Sequence, residues 1–155
     1  MAEQAASTGL RILGTQREDE RTPEPVVGDI RQDWDSVGVA IQRLIQDYPQ
    51  LSFRAEDVYA AVVSGEAVYW KAPEGFVIST TEVDEFTGKK TLLIWLAWSH
   101  KRGNKNVLMY YPFFQKVARD MGWEAVEVRT PLPEMRQILV SAGWQVDTVV
   151  YRLEV

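Results

Sequence analysis

The stretch Thr91-Leu92-Leu93-Ile94-Trp95-Leu96-Ala97-Trp98 constrains this chain more than any other. It carries no charge, and every residue after Thr91 is apolar. An uninterrupted run of that length suits a strand buried on both faces. Such a strand requires a packed layer on each side of its sheet. The chain has 155 residues, 46% of them hydrophobic and 25% charged. That size accommodates one domain whose core needs no covalent staple.

The rest of the pattern supplies the layers. Val26 to Arg31 reads as a short strand, after which Asp33 or Asp35 is placed to cap a helix. Val37, Ala40, Ile41, Leu44, Ile45 and Tyr48 recur at helical spacing, and Pro49 ends the run. Ser52 is a candidate cap for a second helix carrying Val58, Tyr59, Val62 and Val63, with Gly65 as its stop. A meander follows, with strands over 67–71, 76–82 and 90–98 and turns between them. A helix is expected from Val107 or Pro112 to Met121, then a strand over 126–129. A fourth helix starts at Pro133 and runs to Ala142, and a long closing strand covers 146–155. The order is β-α-α-β-β-β-α-β-α-β. The strands flanking the third helix should be parallel neighbours through a right-handed crossover, and the hairpins antiparallel. The chain is therefore expected to be a single α/β domain with a mixed sheet over 26–155. Residues 1–25 are polar and mixed in charge apart from Leu10, Ile12 and Leu13. They read as a flexible arm, or as a segment that orders on a partner.

Composition removes several chemistries. With no cysteine there are no disulfides, thiolate metal sites or thiol nucleophile. His100 is the single histidine, so no multi-His metal site forms and no metal is expected. A formal charge of −5 argues against a general nucleic-acid binder. No apolar run reaches the roughly 20 residues that span a bilayer. The first thirty residues lack a signal-peptide pattern, so export by that route is not expected. Six tryptophans favour a packed core or a docking surface.

The long apolar strand runs into Ser99-His100-Lys101-Arg102-Gly103-Asn104-Lys105-Asn106, a basic loop opening into a helix. Free backbone N–H groups at a helix entry, with cations beside them, suit phosphate or carboxylate. The plainer alternative is a solvated surface loop.

The element order and this loop resemble the GNAT superfamily of N-acetyltransferases, over about residues 26–155. In that family an Arg/Gln-x-x-Gly-x-Gly/Ala signature binds the pyrophosphate of acetyl-CoA. Here Arg102, Gly103, Asn104, Lys105, Asn106 and Val107 stand in its place, with Arg102 at the first position. Lys105 and Val107 depart from the small residues expected, and a side chain there hinders close backbone approach to phosphate. The resemblance assigns the pantetheine arm of acetyl-CoA to the backbone of Trp95, Leu96, Ala97 and Trp98. The family's general-acid tyrosine precedes a Gly-aromatic pair by four residues. Gly143-Trp144 keeps the pair, but Leu139 holds the tyrosine's place and donates no proton.

Other residues are candidates for the chemistry. Glu82, with Asp84 and Glu85 beside it, is a candidate base for an amine, and Tyr111, with Tyr110, a candidate acid. His100 is a further candidate base. The plainer alternatives are solvated turn carboxylates, core aromatics and an incidental histidine. The stretches VYAAVVSGEAVYW, TGKKTLLIWLAW and NVLMYYPFFQKVARDMGW are similar to short GNAT-like proteins of tailed bacteriophages. That likeness implies a phage origin, a place in the host cytoplasm or the virion, and protein partners or a homo-oligomer. Two functions follow. One is acetyl-CoA-dependent N-acetyl transfer. The other is a catalytically inactive GNAT-fold component of a phage virion.

Overall fold

The computed structural model describes residues 23–100 and 106–155. The elements are β1 (Val26–Val27), α1 (Ile30–Asp47), α2 (Ala55–Ser64), β2 (Ala67–Ala72), β3 (Gly75–Val83), β4 (Lys90–Ser99), α3 (Asn106–Asp120), β5 (Ala125–Val128) and α4 (Glu134–Ser141). Among the described residues they form one five-stranded sheet in the order β1-β2-β3-β4-β5. Neighbours from β1 to β4 are antiparallel, and β4 and β5 are parallel. The mixed α/β architecture and the parallel crossover through α3 match the sequence expectation. The first 22 residues of the expected arm lie outside the described residues.

Local chemistry explains the boundaries. The side chain of Asp29, not Asp33 or Asp35, caps α1, its Oδ1 accepting from the Arg31 N–H at 2.9 Å. The α2 entry is held by Asp57 rather than Ser52. Its Oδ2 accepts from the Arg54 N–H at 2.8 Å, and an acidic residue three positions into a helix satisfies a free amide there. Gly65 ends α2 with φ 84°, a conformation that suits glycine.

Asp33 instead ties α1 to the sheet. Its Oδ2 accepts from the Tyr69 hydroxyl at 3.0 Å and lies 3.0 Å from Lys71 Nζ. The Lys71 hydrogen bond is the main reason its carboxyl sits below the ordinary value; burial opposes and the Tyr69 bond assists. Burial, then the bond to Asp33, pushes the Tyr69 phenol up. Asp33→Ala leaves the phenol of a 4% exposed residue without this acceptor. The expected loss is about 1–3 kcal/mol. A carboxyl with a lowered native pKa adds stability that is present above its unfolded value and lost as pH falls through the native one. Urea titrations between neutral pH and about pH 3 should show the largest difference at neutral pH, and a shallower acid decline in the variant.

The long apolar strand is central, as its sequence implies. Leu92 and Ile94 face α3 in a cluster with Val77, Tyr110, Phe114 and Ala118. Leu96 faces α1 and α2 with Ile41, Val58, Tyr69, Phe76 and Ile78. The change of face comes from a bulge. Ile78 is opposite Leu96 while Ser79 is opposite Ile94, so Trp95 is the extra residue. A bulge bends its strand and increases the local twist. Trp95 and Leu96 therefore both pack on the α1 and α2 side, with the Trp95 and Phe53 ring centroids 5.1 Å apart.

One expected element is absent from the sheet. Residues 146–155 form no strand ladder. Val150, Tyr151 and Leu153 are exposed. Alternating apolar residues give a segment strand propensity, but a strand is completed only by a partner's hydrogen bonds.

Candidate active site

The bulge sets the geometry of the site. β5 pairs with β4 over four positions, from Thr91 opposite Ala125 to Ile94 opposite Val128. The next residue of β4 is Trp95. From there β4 continues to Ser99 with no strand beside it on that edge among the described residues, while the chain leaves β5 through Arg129 to Leu132. The two parallel strands thus separate at their C-terminal ends, the common ligand position in sheets with parallel strands.

A cavity of about 160 Å³ fills the separation. Ile94, Trp95, Leu96 and Ala97 form its β4 wall, and Val128 to Leu132 its β5 wall. Leu44, Tyr48 and Leu51, at and after the end of α1, close one side, and Met135 of α4 another. The lining is chiefly apolar, with Tyr48, Arg129 and Thr130 among its residues that carry polar groups on their side chains. The Arg129 guanidinium lies 3.3 Å from Glu127 Oε2 and 3.8 Å from Glu82 Oε2. Thr130 Oγ1 accepts from the Leu132 N–H at 3.2 Å, which shapes the turn between β5 and α4.

The candidates from sequence fall in different places. Trp95, Leu96 and Ala97 line the cavity, and Trp95 forms its wall without filling it. Trp98 packs instead with the core on the α1 and α2 side. Asn106 and Val107 open α3, the helix that follows β4. Arg102, Gly103, Asn104 and Lys105 lie outside the described residues. Glu82 is opposite Thr91, below the separation, and does not line the cavity. Asp84 is engaged in its own turn. The Thr87 and Phe86 amides donate to its Oδ1 at 2.8 and 2.9 Å and hold its carboxyl below the ordinary value. Tyr111 packs edge-on against Trp144 at 5.9 Å, on α3 and away from the cavity lining. Tyr110 is buried, and burial, then the Glu74 charge, raises its phenol pKa. Leu139 is 8% exposed on α4, packed rather than presented to the cavity.

Sequence reasoning missed Tyr48, Arg129 and Thr130. Tyr48 was counted among the apolar positions of a helix. Arg129 and Thr130 are the first residues past a parallel strand, and that position was the available signal.

No family model matches the chain, and no curated protein matches it. Solved structures do. A ribosomal-protein-alanine N-acetyltransferase from Brucella melitensis biovar Abortus 2308 superposes with a TM-score of 0.60 at 18% identity, over 86% of this chain and 100% of that one. A protein described as a probable acetyltransferase gives 0.66 at 13% identity, over 86% and 98%. An integron cassette protein from the mobile metagenome of Cole Harbour Salt Marsh gives 0.59 at 15%, over 88% and 93%. The chain has a GNAT-like fold. Among the described residues no helix is long and apolar enough to cross a membrane.

Proposed function

We propose that the chain is an N-acetyltransferase that takes its acyl group from acetyl-CoA. The observation that carries this reading is the open cavity where β4 and β5 part, lined on the β4 side by Trp95, Leu96 and Ala97, which among the described residues have no strand on the β5 side. The backbone edge of Trp95 to Ala97 suits the amide-bearing pantetheine arm, and the entry of α3 suits a phosphate. Acetyl-CoA supplies a thioester, whose carbonyl carbon an amine attacks with loss of the thiolate. The chain's own residues hold the two reactants together in an apolar slot, which is the main source of rate in such a transfer. Tyr48 is the lining hydroxyl able to give the thiolate its proton. Among the described residues no carboxylate lines the cavity, so the amine proton passes to water.

Calorimetry with acetyl-CoA, followed by release of free CoA in the presence of amines, tests this. The chain has no cysteine, so a thiol reagent reads only released CoA. Binding with turnover is the expected result, and absence of heat at millimolar acetyl-CoA overturns it.

The second reading is a catalytically inactive, phage-encoded virion component, in the host cytoplasm before assembly. The buried Leu139, in place of the family's tyrosine, favours it. It requires the protein in purified particles by mass spectrometry and no CoA turnover. Oligomer formation or virion protein partners belong to the same proposal.

A further inference from the structure

We propose that the cavity where β4 and β5 part holds a hydrocarbon acyl chain of about six carbons, so that the preferred donor is a medium-chain acyl-CoA. The inference rests on the acyltransferase reading and changes only the group transferred. Size is its first ground. The space of about 160 Å³ equals about five water molecules at roughly 30 Å³ each. An acetyl group has only a methyl beyond its carbonyl and leaves most of that space to water. An apolar cavity of about 150 Å³ in another protein takes up benzene.

The lining is the second ground. Leu44, Leu51, Val128, Leu132 and Met135 face the space and are only half-buried. Hydrocarbon covers such concave apolar surface favourably. A cationic group finds no partner there, because among the described residues no carboxylate lines the cavity. Arg129 is already engaged, its guanidinium 3.3 Å from Glu127 Oε2 and 3.8 Å from Glu82 Oε2.

The walls are also formed in advance. The Tyr48 N–H donates to the Leu44 carbonyl at 2.9 Å, and the Leu51 N–H to the Tyr48 carbonyl at 3.0 Å. The chain thus turns back at the end of α1 and keeps Leu44 and Leu51 on one wall. On another, the Met135 N–H donates to the Leu132 carbonyl at 3.1 Å. Walls already ordered lose little entropy when a ligand enters. The thioester lies along β4, so the walls away from β4 bound the chain and set its length.

Calorimetry of the full chain with acetyl-, butyryl-, hexanoyl- and decanoyl-CoA tests this. Affinity should rise about fourfold for each methylene buried, up to hexanoyl-CoA, with no further gain at decanoyl-CoA. Leu51→Trp narrows the cavity and should lower the ratio of hexanoyl-CoA to acetyl-CoA affinity by at least about tenfold. That ratio compares two ligands on one protein, so a general loss of fold does not mimic the effect. Acetyl-CoA binding as tightly as hexanoyl-CoA overturns this inference and leaves the acyltransferase reading standing. So does a gain that continues through decanoyl-CoA, or a ratio untouched by Leu51→Trp. CoA release from acetyl-CoA that climbs with the alkyl length of a primary amine, while the thioester series stays flat, puts the hydrocarbon on the acceptor and also overturns it. Absence of binding by every thioester overturns both readings.

Discussion

Phe114→Ala should cost about 3–5 kcal/mol of folding stability, read as a large fall in the urea midpoint with little change in slope. Phe114 is fully buried on the inner face of α3. Its ring meets Trp70 at 5.6 Å and Phe113 at 5.2 Å, both edge-on. It sits in the cluster formed with Val77, Leu92 and Ile94 of the sheet. Truncation removes the ring's transfer free energy and leaves a void that a sheet and an aromatic group cannot collapse to fill. Domains of this size are stable by only about 5–15 kcal/mol, so the loss is a large fraction of the whole. Phe86→Ala is the matched control. Phe86 is 97% exposed on the β3–β4 turn, and its loss should stay within about 0.5 kcal/mol.

That contrast also marks what a sequence shows. Val37, Ala40 and Ile41 announce a buried helix face by spacing, and the run from Thr91 to Trp98 announces a central strand by having no polar side. Both signals are local. The bulge at Trp95 is not, because it exists only as a mismatch of register between β3 and β4. The cavity follows from that mismatch, which no local pattern in the sequence encodes. Tyr48 and Arg129 reach the cavity because one helix ends and one strand stops at the same level. Glu82 shows how far register decides position. It lies on a strand next to β4, but the register puts it opposite Thr91, where it neighbours Arg129 instead of the opening. The closing strand has the right alternation, yet alternation does not name a partner.

Met135→Trp should reduce acetyl-CoA binding and any acetyl transfer by at least about tenfold while changing folding stability by no more than about 1–2 kcal/mol. Met135 is half-buried in the first turn of α4 and faces the cavity from a rigid element. An indole there occupies much of a space of about 160 Å³. The void lies at the protein surface, so the ring can turn outward in part, and the cost to folding stays below that of overfilling a sealed core. The effect should therefore separate from that of Phe114→Ala, which lowers stability through the cluster on the α3 face of the sheet without narrowing the opening. Gln137→Trp, on an exposed part of the same helix and outside the lining, should alter neither binding nor stability appreciably. Binding by calorimetry and unfolding by urea, measured on all three variants, give the answer. Undiminished binding in Met135→Trp would place the thioester outside the separation of β4 and β5, and the assignment of the cavity as the acyl site would then fall.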